Sequence, residues 1–345
     1  MEQPQMGRFR ATSIPVLIGW VSLLGATAAS AADKVRVRLD WTPWASQAPI
    51  HLAAQKGLFS KYDLDVSIDD GNGSVATVQI VGNGEYDIGH ASLAPMAIAR
   101  SKGLPVKAIA GFIRQNDIGL LVPADSGIKS PAHLKGKKIA FTAGSLEAPF
   151  IDRFLAAGQL TRSDVELISV DAAAKVGTYM AGRADAAFSS VPFFLPVVAK
   201  QRPSTSVNFA DYGLQFPSFG LLATERTINE RSAVLRRFAS IVSGSWAYIL
   251  AGHKDDAAAA IIAARPQAKL DPGVLRGQID ALEKFAYTDA TRSLPFGTMA
   301  MSDWQQAVAT LADGGLIDKT LDPAMLFSNE LLDPVLIADL SAGKL

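Results

Sequence analysis

Two tryptophans three residues apart, Trp41 and Trp44, stand in the stretch Asp40-Trp41-Thr42-Pro43-Trp44-Ala45-Ser46-Gln47. Aromatic rings placed together in a loop can stack on a flat solute. The same two rings could equally fill a core, since tryptophan is highly buried on average. Other polar groups recur where apolar runs break. Ser74 follows Asp70-Gly71-Asn72-Gly73 and opens a helical pattern; such a junction offers free N–H groups and a positive dipole end to an anionic or carbonyl group. His90 and Ser92 close a short apolar run, and His90 there is a candidate hydrogen-bond donor or a simple packing residue. Arg114 follows another run; its fork suits carboxylate, sulfonate or phosphate oxygens, and a surface pairing with Asp117 competes with that reading. Thr142, Ser145 and Glu147 line up at the next strand-to-helix junction. Glu147 there either accepts from a ligand N–H or complements the helix dipole. Ser190 ends a further strand, and Phe216 and Phe219 bracket Pro217. The two phenylalanines either pack a core or form the far side of an aromatic slot.

Nucleophilic and metal chemistry find little support in the same sequence. Cysteine is absent, which excludes disulfides, Cys-ligated zinc, a Cys nucleophile and lipid attachment to an N-terminal Cys. Ser126-Gly127-Ile128-Lys129 spells S-x-x-K but opens a surface turn, and neither G-x-S-x-G nor H-E-x-x-H occurs. The four histidines, His51, His90, His133 and His253, lack metal-ligand spacing. Gly71 and Gly73 do not complete a dinucleotide fingerprint. Neither a cofactor nor a metal is expected, and the chain reads as a binding protein rather than an enzyme.

The elements that must position these residues alternate strand and helix. Val35, Val37 and Leu39 alternate with Arg36 and Arg38, a half-buried strand that breaks at Pro43. Leu64 to Ile68, the short run before Ser92, Val106 to Phe112 and Ile118 to Val122 are further strands. A second set begins at Ile139-Ala140-Phe141 and continues through Val165–Val170 and Ala184–Ser189 to Gly220–Ala223. From Glu230 onward the pattern is helical. Ligands of open α/β sheets bind beyond the carboxyl ends of strands, where most of the named residues fall. The runs 118–122 and 220–223 flank the second set and are expected to pair as crossover strands.

Apolar residues make up 49% and charged residues 19% of the 345-residue chain, so it is not a mostly disordered protein. Basic and acidic residues both number 33, and no bulk charge points to nucleic acid. Residues 1–32 read as a signal peptide: Arg8 and Arg10 precede the apolar run Ile14 to Thr27, with Ser30 and Ala32 at a cleavage site. An uncleaved anchor is the competing reading. Export follows, with no stable membrane insertion once the segment is removed.

Several longer pieces, in order, carry a resemblance. They are Leu39-Asp40-Trp41-Thr42-Pro43, His51-Leu52-Ala53-Ala54-Gln55-Lys56-Gly57-Leu58-Phe59, Gly82-Asn83-Gly84-Glu85-Tyr86-Asp87-Ile88-Gly89, Leu134-Lys135-Gly136-Lys137-Lys138-Ile139 and Ala181-Gly182-Arg183-Ala184-Asp185-Ala186. With them the chain resembles periplasmic substrate-binding proteins of ABC importers, in the nitrate, sulfonate and thiamine-pyrimidine-precursor group. The resemblance implies an α/β, type II periplasmic-binding-protein fold: two lobes, each a mixed sheet flanked by helices, joined by a two-strand hinge. It implies a first lobe over 33–122, a second over 123–219, and a return strand with C-terminal helices over 220–345. A small-molecule solute, a permease with its ATPase, and a monomeric receptor are the implied partners and state. The Asp-Trp-Thr-Pro start is similar to the branch that binds pyrimidine precursors, but Gln47 stands where that branch has histidine, and Trp44 adds an aromatic ring. A planar or heteroaromatic solute is therefore implied, with a small anion as the alternative. An enzyme or a sensory protein on the same scaffold is the reading of another class. The family's eukaryotic pyrimidine-forming enzymes carry a Cys-rich motif that this chain lacks.

Overall fold

A computed structural model describes residues 1–4, 7 and 31–344. The signal-peptide reading therefore falls almost entirely outside the described residues. Residues Ala32–Leu345 form one compact unit, separate from Met1–Ala31.

Among the described residues ten strands occur in chain order: β1 (Asp33–Arg38), β2 (Leu64–Asp69), β3 (Ile88–Ser92), β4 (Val106–Gly111), β5 (Ile118–Pro123), β6 (Lys138–Phe141), β7 (Glu166–Ser169), β8 (Ala186–Ser190), β9 (Ser204–Asn208) and β10 (Phe219–Thr224). They make two five-stranded sheets, β2-β1-β3-β10-β4 and β7-β6-β8-β5-β9. The plan repeats. In each sheet four strands share one direction, and one antiparallel strand sits between the third of them and the fourth at the edge: β10 in the first sheet, β5 in the second. Those two strands are the ones that arrive directly across the hinge. Helices fill the parallel connections, as a parallel pair requires. The alternation read in β1 is realised, with Val35 and Val37 buried and Arg36 exposed.

Two local expectations change, and a helix lies at 191–198, where the sequence pattern marks no element. The apolar runs 118–122 and 220–223 do not pair with each other, because each completes a different sheet. The two chain crossings lie at 112–117 and 209–218, so β5 belongs wholly to the second lobe and that lobe begins before residue 123. The crossings touch through short backbone bonds: Phe112 and Ile113 donate to the Phe219 carbonyl, and Ser218 donates to that of Ile113. Finally, Val191–Val198 is a helix that begins directly after β8, and β9 follows it. Proline near its first turn and again at Pro196, on a segment apolar all round, hid its periodicity.

Of the C-terminal helices, Ser232–Leu250 buries Trp246 against the first lobe. Helix Pro272–Glu283 instead packs across the cleft on Val191–Val198 of the second lobe.

Gly220 on β10 lies so close to β4 that a Cβ there would sit 2.2 Å from the Ala110 carbonyl oxygen. Gly220→Ala is expected to cost about 1–3 kcal/mol by overpacking, read as a lower urea midpoint. An unchanged midpoint would mean that the strands can separate freely.

Candidate functional site

The first lobe builds its half of the site around Asp40. This residue ends the β1 run just before the proline break, and its side chain is buried. Its Oδ2 accepts from the Trp44 indole N–H at 3.2 Å, and its Oδ1 accepts from Gln47 Nε2 at 3.2 Å. His90 Nδ1 lies 3.0 Å from the same Oδ1, and its Nε2 lies 3.1 Å from Ser46 Oγ. With Nδ1 protonated, His90 donates to Asp40 and accepts from Ser46. The Asp40 carbonyl also receives the Gly73 N–H at 2.6 Å. The Asp40 carboxylate thus ties the tryptophan loop to the end of β3, and its backbone carbonyl holds the turn before helix Ser74–Gly82.

The second lobe contributes the ends of β6 and β8. Thr142 Oγ1 donates to the Val170 carbonyl, and the Thr142 N–H donates to Glu147 Oε1. Glu147 Oε1 also holds the ammonium of Lys175 at 2.5 Å, and Lys175 donates further to the Phe188 carbonyl. Both side chains are fully buried, and burial pulls the Lys175 pKa down against the attraction of Glu147. The Lys175 ammonium lies 5.0 Å from the centre of the Trp41 ring, a cation–π contact from one lobe to the other.

Between the lobes lies a cavity lined by Asp40, Trp41, Trp44, Ser74, Ser145, Leu146, Ser189, Ser190, Phe193 and Phe219. Its volume is only about 10 Å³, room for about one water. The lobes are drawn together by direct bonds. Val75 and Ala76 N–H groups donate to the Gly144 carbonyl at 3.0 and 3.3 Å. Gln278 Oε1 accepts from Ala45 N–H at 3.1 Å, while its Nε2 donates to the Phe193 carbonyl at 2.9 Å. The helix N-terminus at Ser74 thus meets a carbonyl group, supplied by the protein's own second lobe. Gly73 permits the approach: its φ is +133°, and a Cβ would stand 2.1 Å from the Gly144 oxygen.

Of the residues singled out in the sequence, Trp41, Trp44, Ser74, Ser145, Ser190 and Phe219 line this cavity. Gln47, His90, Ser92, Thr142 and Glu147 stand behind it as supports: Gln47 and His90 hold Asp40, Ser92 N–H donates to Ser74 Oγ, and Thr142 and Glu147 brace Lys175. His90 and Ser92 sit on β3 itself rather than in a loop after it, because helix Leu93–Ser101 starts at once. Arg114 does not reach the cavity. Its Nη1 and Nε donate to the Ala286 and Thr298 carbonyls, and its guanidinium packs 4.7 Å from the Phe296 ring centre. Nor does it pair with Asp117, which accepts from Ser190 and Ser218 hydroxyls at 2.5 Å each. Asp40, Phe193 and Lys175 were not singled out. Asp40 carried a signal, a charge beside two tryptophans; nothing local marks Lys175, whose neighbours read as an ordinary helix surface.

A family model described as NMT1/THI5 like matches residues 44–256, more than half of the chain. The chain belongs to the NMT1/THI5-like family. The formylaminopyrimidine-binding protein of Halalkalibacterium halodurans is 24% identical over 287 residues, 81% of this chain and 85% of that protein. A 4-amino-5-hydroxymethyl-2-methylpyrimidine phosphate synthase of Saccharomyces cerevisiae is 32% identical over 110 residues, 32% of each chain. Among solved structures, the periplasmic aliphatic sulphonate binding protein SsuA of Escherichia coli aligns with a TM-score of 0.62 at 19% identity, covering 85% of this chain and 91% of that one. The two mixed sheets and their double crossing are thus the periplasmic-binding-protein fold within this family.

Burial raises the Asp117 carboxyl to about 6, against the lowering effect of its two serine donors. Between about pH 4 and this value the folded protein keeps a proton that the unfolded chain has released. The contribution of this group to stability is therefore present at low pH and lost as pH rises through that window. Asp117→Asn lacks this titration, so its stability relative to the parent should rise between pH 4 and 7 in urea titrations. A pH-independent difference would contradict the assignment.

Proposed function

We propose that the chain is the solute-binding receptor of an ABC-type importer. It captures a small planar, pyrimidine-like heteroaromatic solute between its lobes and delivers it to a permease with its ATPase. The observation that carries this reading is the aromatic slot of the first lobe, Trp41 and Trp44 with Phe219, which in this conformation already takes in one flat ring, the phenyl of Phe193. Flat rings gain most from such edge-to-face and stacked partners. Serine hydroxyls at Ser74, Ser145, Ser189 and Ser190 supply the few polar groups that fix orientation. The name of the Halalkalibacterium relative adds weight to a pyrimidine.

A small anion is the second reading, and the helix N-terminus at Ser74 favours it. Charge argues against it. Among the described residues the cation nearest the tryptophans, Lys175, is already paired with Glu147, and Arg114 is engaged elsewhere. An enzymatic reading draws on Ser46, His90 and Asp40, which follow one another at hydrogen-bond distance. Ser46, however, is fully buried and does not line the cavity, so the relay orients the loop instead of presenting a nucleophile. Among the described residues no helix is long and apolar enough to cross a membrane; that the receptor is exported to the periplasm and monomeric is part of the same proposal, carried by its likeness to periplasmic binding proteins. A sensory role would use the same capture step with a different partner.

A thermal-shift screen of residues 33–345 tests the solute class. Aminopyrimidines at about a hundred times Kd should stabilise by roughly 2.7 kcal/mol, while alkanesulfonates, nitrate and bicarbonate leave the melt unchanged. Stabilisation by the anions alone would overturn the proposal. In calorimetric titrations, Trp41→Ala should weaken the aminopyrimidine by about tenfold or more, the equivalent of one lost aromatic contact. Unaltered affinity would return Trp41 to the core.

A further inference from the structure

We propose that Phe193 is a built-in plug: its phenyl ring occupies the ring position of the slot between the tryptophans, and the solute binds by displacing it. This rests on the receptor reading above and adds to it the size of the solute, one six-membered ring.

Phe193 belongs to the second lobe, on the helix directly after β8, whereas both tryptophans belong to the first. Its ring centre lies 5.5 Å from that of Trp44 and 6.3 Å from that of Trp41, edge-to-face on both, at 80° and 77°. With the phenyl there, the cavity keeps only about 10 Å³, so a solute ring cannot enter this conformation unless Phe193 or a lobe moves.

The plug matches the slot in shape and mismatches it in chemistry. Trp41 Nε1 and Ser145 Oγ are buried with no hydrogen-bond partner. A phenyl ring offers them nothing, and an unmet buried donor costs free energy that a heteroaromatic nitrogen or carbonyl would recover. Ser145 Oγ, which lines the cavity, can also accept, so a ring N–H finds a partner at the same atom. A ring with both acceptors and N–H donors therefore outcompetes Phe193, and an apolar ring of equal size does not.

Delivery of the plug is fixed by the backbone. The Phe193 carbonyl accepts from Gln278, which also holds the tryptophan loop at Ala45. Ser190 Oγ accepts the Phe193 N–H at 3.4 Å at the start of the helix. Closure thus brings the phenyl to one place, and ligand affinity is reduced by the fraction of molecules held in that form.

The test compares the parent protein with Phe193→Ala and, as the variant that keeps apolar volume, Phe193→Leu. Small-angle scattering of ligand-free protein and titration with aminopyrimidine and the two-ring aminoquinazoline are the readouts. Removing the plug should enlarge the ligand-free radius of gyration and tighten aminopyrimidine about fivefold or more. It should also admit aminoquinazoline, which the parent rejects, with Phe193→Leu in between. Weaker aminopyrimidine binding with an unchanged radius would make Phe193 a wall of the site and overturn the plug. If Phe193→Ala expands but neither protein binds any ring compound, the plug stands and the solute assignment fails.

Discussion

A single buried carboxylate, that of Asp40, sets the shape of the first lobe's face of the cleft. Placing a charge inside a protein is costly unless hydrogen bonds surround it. Here Trp44 and Gln47 of the loop and His90 of β3 surround it, so the carboxylate ties the loop to a strand held in the sheet. Charge-assisted bonds of this kind are worth about 1.5–3 kcal/mol each, and losing one strands a buried partner as well. The cost of burying Asp40 thus becomes a geometric restraint on the tryptophans. His90 is itself constrained from two further sides, by Ser46 and by stacking on Phe219 at 5.6 Å, so the restraint reaches from the loop to the start of β10 beside the hinge.

The second lobe meets this preorganised face with a different device. Lys175 and Glu147 are a buried ion pair that carries little net charge into the cleft while presenting a cation to the Trp41 ring. Pairs of this type are poor sources of stability, because desolvation offsets their attraction. A role in specificity suits them better: with Lys175 committed to Glu147 and the Asp40 carboxylate in the lining, a free anion finds no uncommitted cation among the described residues of the slot. Across the cleft, the Gly144 carbonyl and the Gln278 side-chain amide couple closure to backbone groups of the two lobes. A solute shifts such an equilibrium only through its differential affinity for the two forms.

The architecture was largely legible because period-2 and helical patterns alternate cleanly, and because the residues Leu39 to Pro43 and Gly82 to Gly89 belong to a recognisable family pattern. What local pattern could not show was which sheet each crossover strand joins. β5 and β10 look alike as sequences, and only the long-range register separates them. The cavity side chains were partly legible for a similar reason: strand ends mark the cleft, but the partner of a strand end lies a lobe away. Arg114 looked like an anion ligand because its chemistry is right, yet the carbonyls at 286 and 298 claim it, and they are more than 170 residues distant in sequence. Lys175 reads as a solvated helical lysine until the fold buries it.

The most direct test of the Asp40-centred account is intrinsic tryptophan fluorescence during aminopyrimidine titration of the parent protein and of Asp40→Asn, with circular dichroism and urea midpoints on both. The account predicts saturable quenching in the parent, and a loss of affinity of at least about tenfold in the variant, equivalent to one charge-assisted bond, while the variant keeps its secondary structure and unfolds cooperatively. Full-affinity quenching by Asp40→Asn would show that the tryptophans hold their place without the carboxylate and would contradict the account.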